Sequence, residues 1–364
     1  HTHTRHKYPS SIGNTHLQMV IKLSAGAFAV SVCLSLAFFV GHGQPVLADG
    51  GGGKKHDVAD TVKKEVAIAM KKNPRIGAAL VRLLFHDCWV HGCDGSVLLD
   101  RTPDGGSTEK DAINNIGLEG FDLIDRIKGK LGESVSCADI VVLAARDATS
   151  ILSRGNIAYN VTTGRKDGVR SSAAAADAVL PPSTFNFTQL KANFAARNFT
   201  QTELVVLSGA HAVGVAHLSS FRDRLDNATA TPISVRYQNA LRDHVEDKTT
   251  AAVPDPTEMN NIRDMEFAFR NASGYNATGV DTSRAARGVL DNSYYHANLQ
   301  NKVLFRSDWE LRNDTTGAAG RDMREFRDDA AGWYVLFGKA MAKLSEIPAE
   351  GSRFEIRKNC RTTN

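Results

Sequence analysis

The chain is 364 residues long, with 42% hydrophobic and 23% charged residues, a balance that excludes a disordered polymer and allows a sizeable core. Its formal net charge of +4 arises mainly at the N-terminus, where residues 1–48 carry Arg5, Lys7 and Lys22 and no acid. The 316 residues beyond hold 41 basic and 40 acidic groups, which gives no electrostatic case for nucleic acid or a membrane surface as partner.

In chain order, residues 1–18 are His-rich and read as translated leader sequence upstream of Met19. Lys22, the apolar run Leu23–Val40 and Val46-Leu47-Ala48 then form the basic region, hydrophobic region and small-residue cleavage site of a secretory signal peptide, over residues 19–48. A membrane anchor is the competing reading. The Ala, Ser and Gly within the run, and the cleavage site after it, favour removal. No second long apolar run follows, so the mature protein is expected to be soluble.

Residues 49–364 are expected to form one domain, its Gly- and Lys-rich start (Asp49–Lys55) disordered. Val58, Val62, Val66 and Met70 recur at helical spacing with Lys between them. After Asn73-Pro74 a second apolar helix is predicted from about Arg75 into His86. Further helices are predicted at Phe121–Leu131, Cys137–Thr149, Phe187–Phe194, Gln201–Gly209, Val235–Asp243, Tyr294–Leu299 and Arg321–Leu344. Strand candidates are few, near Tyr159–Thr163 and Phe354–Ile356. The pattern is that of a mostly α-helical chain with no internal repeat and no dividing linker.

Cys33 leaves with the signal, and Cys88, Cys93, Cys137 and Cys360 remain. An even count in a secreted chain implies two disulfides, with three possible pairings. Seven N-x-S/T sequons (Asn160, Asn186, Asn198, Asn227, Asn271, Asn276 and Asn313) suit exposure to the glycosylation machinery.

Two segments are dense in chemistry. In VRLLFHDCWVHGCDGSVLLD (Val81–Asp100), Arg82 and His86 are four residues apart, so a helix sets them on one face with Phe85 alongside. A cation and an imidazole in an apolar helix are costly to bury without a task. Taken singly, each also fits a helix end with a snorkelling Arg. In VLSGAHAVGVAH (Val206–His217), Gly209, Ala210 and Gly214 surround His211 with little bulk, which would let a flat ligand approach the backbone. Alone, it reads more often as a core histidine than as a metal ligand. Seven histidines lie beyond residue 48, and two of them occupy such settings.

With TEKDAINN, SCADIVVLAARDA, GRKDG, VLDNSYY and FRSDWEL in the same order, these segments make the chain resemble the secretory plant peroxidases, class III of the plant, fungal and bacterial haem peroxidase superfamily. The resemblance spans about Val58 to Cys360. It implies an all-α fold with haem b between a distal half (about residues 55–177) and a proximal half (about 178–345), and a C-terminal tail tied back through Cys360. It implies His211 as the haem iron's axial ligand, Asp308 as hydrogen-bond partner of its other ring nitrogen, and His86 as distal acid–base. Arg82 would stabilise charge on peroxide and Asn115 would orient His86. Phe85 would wall the distal face, and the carbonyl of Pro181 would meet aromatic donors. Asp87, Asp94 and Ser96, with the carbonyls of Val90 and Gly92, match a distal calcium site supported by Glu109. The implied disulfides are Cys88–Cys93 and Cys137–Cys360.

The implied function is a secreted, monomeric enzyme that reduces hydrogen peroxide while oxidising phenolic or other small donors by one-electron steps. The cell wall is the expected location, with the vacuole open. A haem- or wall-binding scaffold without activity, and an intracellular ascorbate-type relative, are the competing readings. The five residues Arg82, His86, Asn115, His211 and Asp308 oppose the first, and the signal peptide and sequons oppose the second.

The chain departs from the class pattern in places. Leu218 stands where a cysteine usually follows the proximal motif, and the N-terminal cysteine and its partner before Ser136 are absent; a lost native bridge typically costs about 2–5 kcal/mol. Ala212 and Ala286 stand where hydroxyl ligands of a proximal calcium are expected. With Asp281 and Asp291 left, that site is expected to be weak or empty.

Overall fold

The computed structural model describes residues 58–102, 105–226, 231–260, 288–313 and 317–364. The predicted signal peptide, the mature start, the sequons at Asn227, Asn271 and Asn276, and Asp281 and Ala286 lie outside the described residues, as does the side chain of Asn313.

The chain is mostly helical. α1 (Val58–Lys72) buries Val62, Val66 and Met70, the predicted stripe, together with Glu65. It ends in Lys71 and Lys72, whose charges suit a helix C-terminus. α2 (Ile76–His91) is longer than predicted. It runs past His86 and carries Asp87, Cys88 and Trp89 inside before Gly92, at φ 78°, ends it. α3 (Phe121–Leu131) buries Leu123, Ile124 and Ile127. α4 (Cys137–Leu152) starts where the Ser136 hydroxyl accepts the Asp139 N–H at 3.1 Å, and it is buried along nearly its whole length. Packed against α1 and α2, it is the central rod of this half. Each aliphatic side chain it buries contributes about 1.5–3 kcal/mol. The one acid on the inner face of α1, Glu65, is held by Lys130 of α3 at 2.6 Å.

α5 (Ala173–Val179), α6 (Phe187–Ala195) and α7 (Gln201–Ser208) follow, each capped by a side chain at its start: Ser172, Asn186 and Thr200. α8 (Arg222–Asp226) and α9 (Val235–Lys248) precede α10 (Ser293–Leu299) and α11 (Arg306–Asn313). The predicted single helix Arg321–Leu344 is two, α12 (Ala318–Asp328) and α13 (Ala330–Ser345). Asp329 leaves helical geometry at φ −121°, ψ 85°, and its carboxylate accepts the Gly332 N–H at 2.9 Å, restarting the helix.

Strands are few among the described residues. β1 (Asp167–Gly168) pairs antiparallel with β4 (Phe354–Glu355), and β2 (Val215–His217) with β3 (Thr257–Met259). The strand expected near Tyr159–Thr163 does not form: among the described residues no segment pairs with it as a ladder. β4 brings the C-terminal tail back onto the first half, where Arg357, wholly buried, meets the Cys360 carbonyl at 2.7 Å and the Gly95 carbonyl at 2.5 Å. Cys137–Cys360 and Cys88–Cys93 are both bonded.

α7 and α13 are joined at Glu203. Its carboxylate accepts the Thr200 N–H at 2.7 Å and Lys343 Nζ at 2.7 Å. Burial opposes its charge, but these donors outweigh burial and hold its pKa below the ordinary 4.5. A depressed carboxylate contributes stability above its unfolded pKa and loses it as pH falls through the folded value. Glu203→Gln is therefore expected to cost about 0.5–1.5 kcal/mol at neutral pH and far less in acid below the folded pKa. Urea unfolding at both pH values checks this, and an equal loss at both would refute it.

Candidate active site

α2 presents Arg82 and His86 one turn apart, with Phe85 beside them. The His86 ring is fixed from one side: its Nδ1–H donates to Asn115 Oδ1 at 2.5 Å. Asn115, 2% exposed in a short 3₁₀ turn, cannot rotate, because its Nδ2 donates to the Glu109 carbonyl at 2.6 Å. That tautomer leaves Nε2 as the acceptor, and Arg82 Nε donates to it at 3.3 Å. Burial, and then the Arg82 charge, push the His86 pKa down to about 3, while Asn115 pulls it upward. His86 is thus a neutral base at every ordinary pH. Arg82 is itself pinned by the carbonyls of Asn114 at 2.9 Å and Ile116 at 3.4 Å. Burial lowers its pKa to about 10, with Glu119 opposing, so it keeps its charge. Phe85 stacks on Trp89, centroids 4.6 Å apart, which fixes its ring as a wall.

His211 lies in the 3₁₀ turn Gly209–Ala212 that continues α7. The turn sits tightly on the core: a Cβ at Gly209 would lie 2.6 Å from the Trp333 ring and 2.8 Å from the Tyr295 hydroxyl. His211 Nδ1–H donates to Asp308 Oδ1, on α11, at 2.8 Å. Asp308 is 2% exposed; it also accepts the Tyr294 hydroxyl at 3.0 Å, and its main-chain carbonyl accepts Asn298 Nδ2 at 2.6 Å. Burial works against a charged His211, yet the Asp308 carboxylate and its hydrogen bond raise the pKa overall. With Nδ1 engaged, Nε2 is the nitrogen left for a ligand.

The two histidines share one space. The Arg82 charge acts on His211, and a Cβ at Gly214 would touch Ala78 of α2 at 3.2 Å. His211 lies deep in the protein, yet 39% of its side chain is open, so it borders an internal cavity. An imidazole with its far nitrogen held by a carboxylate and its near nitrogen facing open space suits a metal-centred planar group; Gly209 and Gly214 serve close packing on Trp333 and Ala78 rather than the approach of a ligand. The residues fit haem.

The predicted calcium ligands also cluster. Asp87 accepts the Gly95 N–H at 3.0 Å and the Val97 N–H at 3.4 Å, and Asp94 accepts the Ser96 N–H at 2.9 Å. Burial raises all three nearby carboxyls, Asp94 to about 6 and Asp87 and Glu109 further, and mutual repulsion adds to Asp87 and Glu109. Glu109 Oε2 is buried without a hydrogen-bond partner, and the buried Ser96 hydroxyl lies among the carboxyls, lowering those of Asp94 and Glu109 without making a well-formed hydrogen bond. Among the described residues no three His, Cys, Asp or Glu side chains converge as a metal cluster. A cation here would rest on two carboxylates, a hydroxyl and carbonyls. The Val90 carbonyl accepts Arg197 Nη2 at 2.7 Å, which leaves one lone pair for other use.

Pro181 follows α5, partly buried, with no measured contact to either histidine. On the other side, Ala212 is wholly buried, and Asp291 is turned to its own backbone, accepting the Ser293 N–H at 3.0 Å. Sequence reasoning gave no role to Tyr294, Asn298 or Phe305, whose ring meets that of His211 edge-on at 5.2 Å. Tyr294 and Tyr295 were visible only as the end of the motif VLDNSYY.

The family model described as Peroxidase matches residues 62–325. Peroxidase 2 of Zea mays is 38% identical over 310 residues, covering 83% of this chain and 84% of its own. Peroxidase 5 of Vitis vinifera is 36% identical over 313 residues, 83% of this chain and 87% of its own. Peroxidase 3 of Arabidopsis thaliana is 36% identical over 348 residues, 93% of this chain and 98% of its own.

Gly209→Ala is expected to destabilise the protein by about 1–3 kcal/mol, because the buried Trp333 ring cannot yield. Urea unfolding checks it; a change within a few tenths of a kcal/mol would show that the turn has room.

Proposed function

The chain belongs to the peroxidase family, and from that premise we propose that its haem peroxidase chemistry is carried by Arg82, His86 and Asn115 on one side of the cavity and by His211 and Asp308 on the other. Hydrogen peroxide is the oxidant, and small molecules are the electron donors. Haem, when bound through His211, supplies the redox-active iron.

The protein's own part is positional and electrostatic. His86 Nε2, unprotonated, is placed to take the proton from one oxygen of peroxide and return it to the other, which leaves as water; the haem that His211 would hold would supply the two electrons of the O–O cleavage and retain the remaining oxygen. Asn115 keeps that nitrogen available, since it engages only Nδ1. Arg82 holds a fixed positive charge beside the dividing O–O bond, aimed by the carbonyls of Asn114 and Ile116. Asp308 makes His211 electron-rich by accepting a hydrogen bond from its Nδ1–H. Phe85 walls the space and keeps donors at its edge, where the Pro181 carbonyl accepts a donor hydroxyl. The observation that carries this reading is the neutral His86 braced by Asn115 beside a charged Arg82, opposite a carboxylate-backed His211.

Calcium at Asp87, Asp94 and Ser96, with the Val90 and Gly92 carbonyls, would satisfy the crowded carboxyls around the Ser96 hydroxyl. Glu109 would brace it from behind. Secretion to the cell wall as a glycosylated monomer completes the reading. Among the described residues no helix is long and apolar enough to cross a membrane, and the sequon residues Asn160 and Asn198 are exposed.

Equimolar hydrogen peroxide is expected to shift the absorption of the purified, haem-loaded protein, and a phenol to restore it. His86→Leu is expected to slow the peroxide step about 10²–10⁴-fold while haem absorbance stays. A spectrum indifferent to peroxide would overturn the reading. For the cation, added calcium is expected to raise the melting temperature of the chelator-treated protein, and Asp94→Asn to abolish that rise. A wild-type melting temperature unmoved by calcium would refute the site.

A further inference from the structure

We infer that Tyr334 is a surface site of one-electron oxidation, joined to the His211 side of the active site through Trp333, Tyr295 and Tyr294, and that it serves donors too large to enter the cavity. The inference rests on the peroxidase reading, since the oxidant is peroxide. Four oxidisable rings follow one another outward from His211. Centroid separations are 6.2 Å from His211 to Tyr294, 5.1 Å to Tyr295, 5.9 Å to Trp333 and 5.4 Å to Tyr334. At these distances neighbouring rings are in edge or tilted contact. Electron transfer weakens steeply with the gap between rings, and here there is almost none. Tyr and Trp also lose an electron far more readily than Phe or an aliphatic side chain.

The chain is rigid where it is buried and open where it ends. Tyr294, Tyr295 and Trp333 are at most 3% exposed. Their polar atoms are tied to Asp308 Oδ1 at 3.0 Å, the Val205 carbonyl at 2.9 Å and the Val206 carbonyl at 3.2 Å. These three hold their protons and pass charge as bridges. Tyr334 is partly exposed and lies next to Val335, which is 59% exposed, an apolar spot on which a large donor can rest. Trp89, an oxidisable ring on the His86 side of the cavity, offers no such route among the described residues. It stacks on Phe85, and the other rings it meets among the described residues are those of Phe194 and Phe199.

The balance is one electron per event. Tyr334 gives an electron inward through Trp333 and its phenolic proton to solvent, becoming a neutral phenoxyl. A phenolic donor at the surface returns one electron and one proton, and leaves as its own phenoxyl. Two such events supply the two electrons that, with two protons, convert one peroxide into two waters.

The test uses the haem-loaded protein, peroxide and a nitrone spin trap without donor, followed by peptide mapping by mass spectrometry. The adduct is expected on Tyr334, and is expected to be lost in both Tyr334→Phe and Trp333→Phe. Ferrocytochrome c, a donor too large for the cavity, is expected to be oxidised by wild type and not by Tyr334→Phe, while both oxidise guaiacol at the same rate. An adduct on Trp89 instead of Tyr334, or ferrocytochrome c oxidation that survives Tyr334→Phe, would overturn the inference. Wild-type protein that leaves guaiacol unoxidised would overturn the peroxidase reading itself, and this inference with it.

Discussion

The site depends on keeping one imidazole neutral, oriented and buried next to a cation. Burial alone would leave His86 free to turn, and Arg82 alone would suppress its basicity without aiming it. The 2.5 Å bond to Asn115 does the aiming. Asn115 is in turn held by Glu109, whose carbonyl accepts its amide, whose N–H meets Ser171 Oγ at 2.9 Å, and whose carboxyl faces Asp87 and Asp94. One residue thus connects the base to the carboxylate cradle behind it. α2 makes the same connection directly, because His86 and its neighbour Asp87 point to different faces of one helix. A change of charge in the cradle has two short mechanical routes to His86 Nε2.

The segment around Leu218 is held without the bridge that was expected there. Leu218, standing where a cysteine is expected, is 2% exposed and fills core space, and its N–H meets the Pro256 carbonyl at 2.9 Å beside the β2–β3 ladder. Apolar burial and main-chain pairing hold this segment without a crosslink. At the other end, the tail is retained by Cys137–Cys360, by Arg357 among buried carbonyls, and by Arg361 on Asp125 at 2.6 Å and Asp122 at 2.9 Å. The exposed part of that clamp adds little alone. Its buried part is costly to disrupt, since removing the Arg357 guanidinium would strand several carbonyls.

Legibility in the sequence followed the strength of the pattern. α1 and α3 were readable because their apolar stripes recur at helical spacing over several turns. α5 and α8 were not, being only 7 and 5 residues long. The strands, two or three residues each, fall below any period, and only the tail strand near Phe354 was anticipated. The break at Asp329 was hidden because the apolar period continues through it; only its backbone angles and its cap reveal two helices. For the site, Arg82 and His86 were visible as a pair on one helix face. The partnerships of Asn115 and Asp308 cross 29 and 97 residues, which no local pattern encodes; they came from the order of motifs. Tyr294 went unassigned because its hydroxyl acts on Asp308 through a fold contact.

That last contact shows how the proximal side is set. Asp308 Oδ1 accepts both His211 and Tyr294, while Oδ2 is buried without a partner. A carboxylate so placed has one oxygen sharing two donors and one without a hydrogen bond, and its charge acts on the buried Arg224 guanidinium. The carboxylate hydrogen bond to Nδ1 places electron density on the His211 ring. Tyr294 limits that effect by donating to the same oxygen that His211 uses. Proximal strength is therefore a balance between two donors on one atom, and it is held by the packing of α10 against α11 rather than by a charge that solvent could screen.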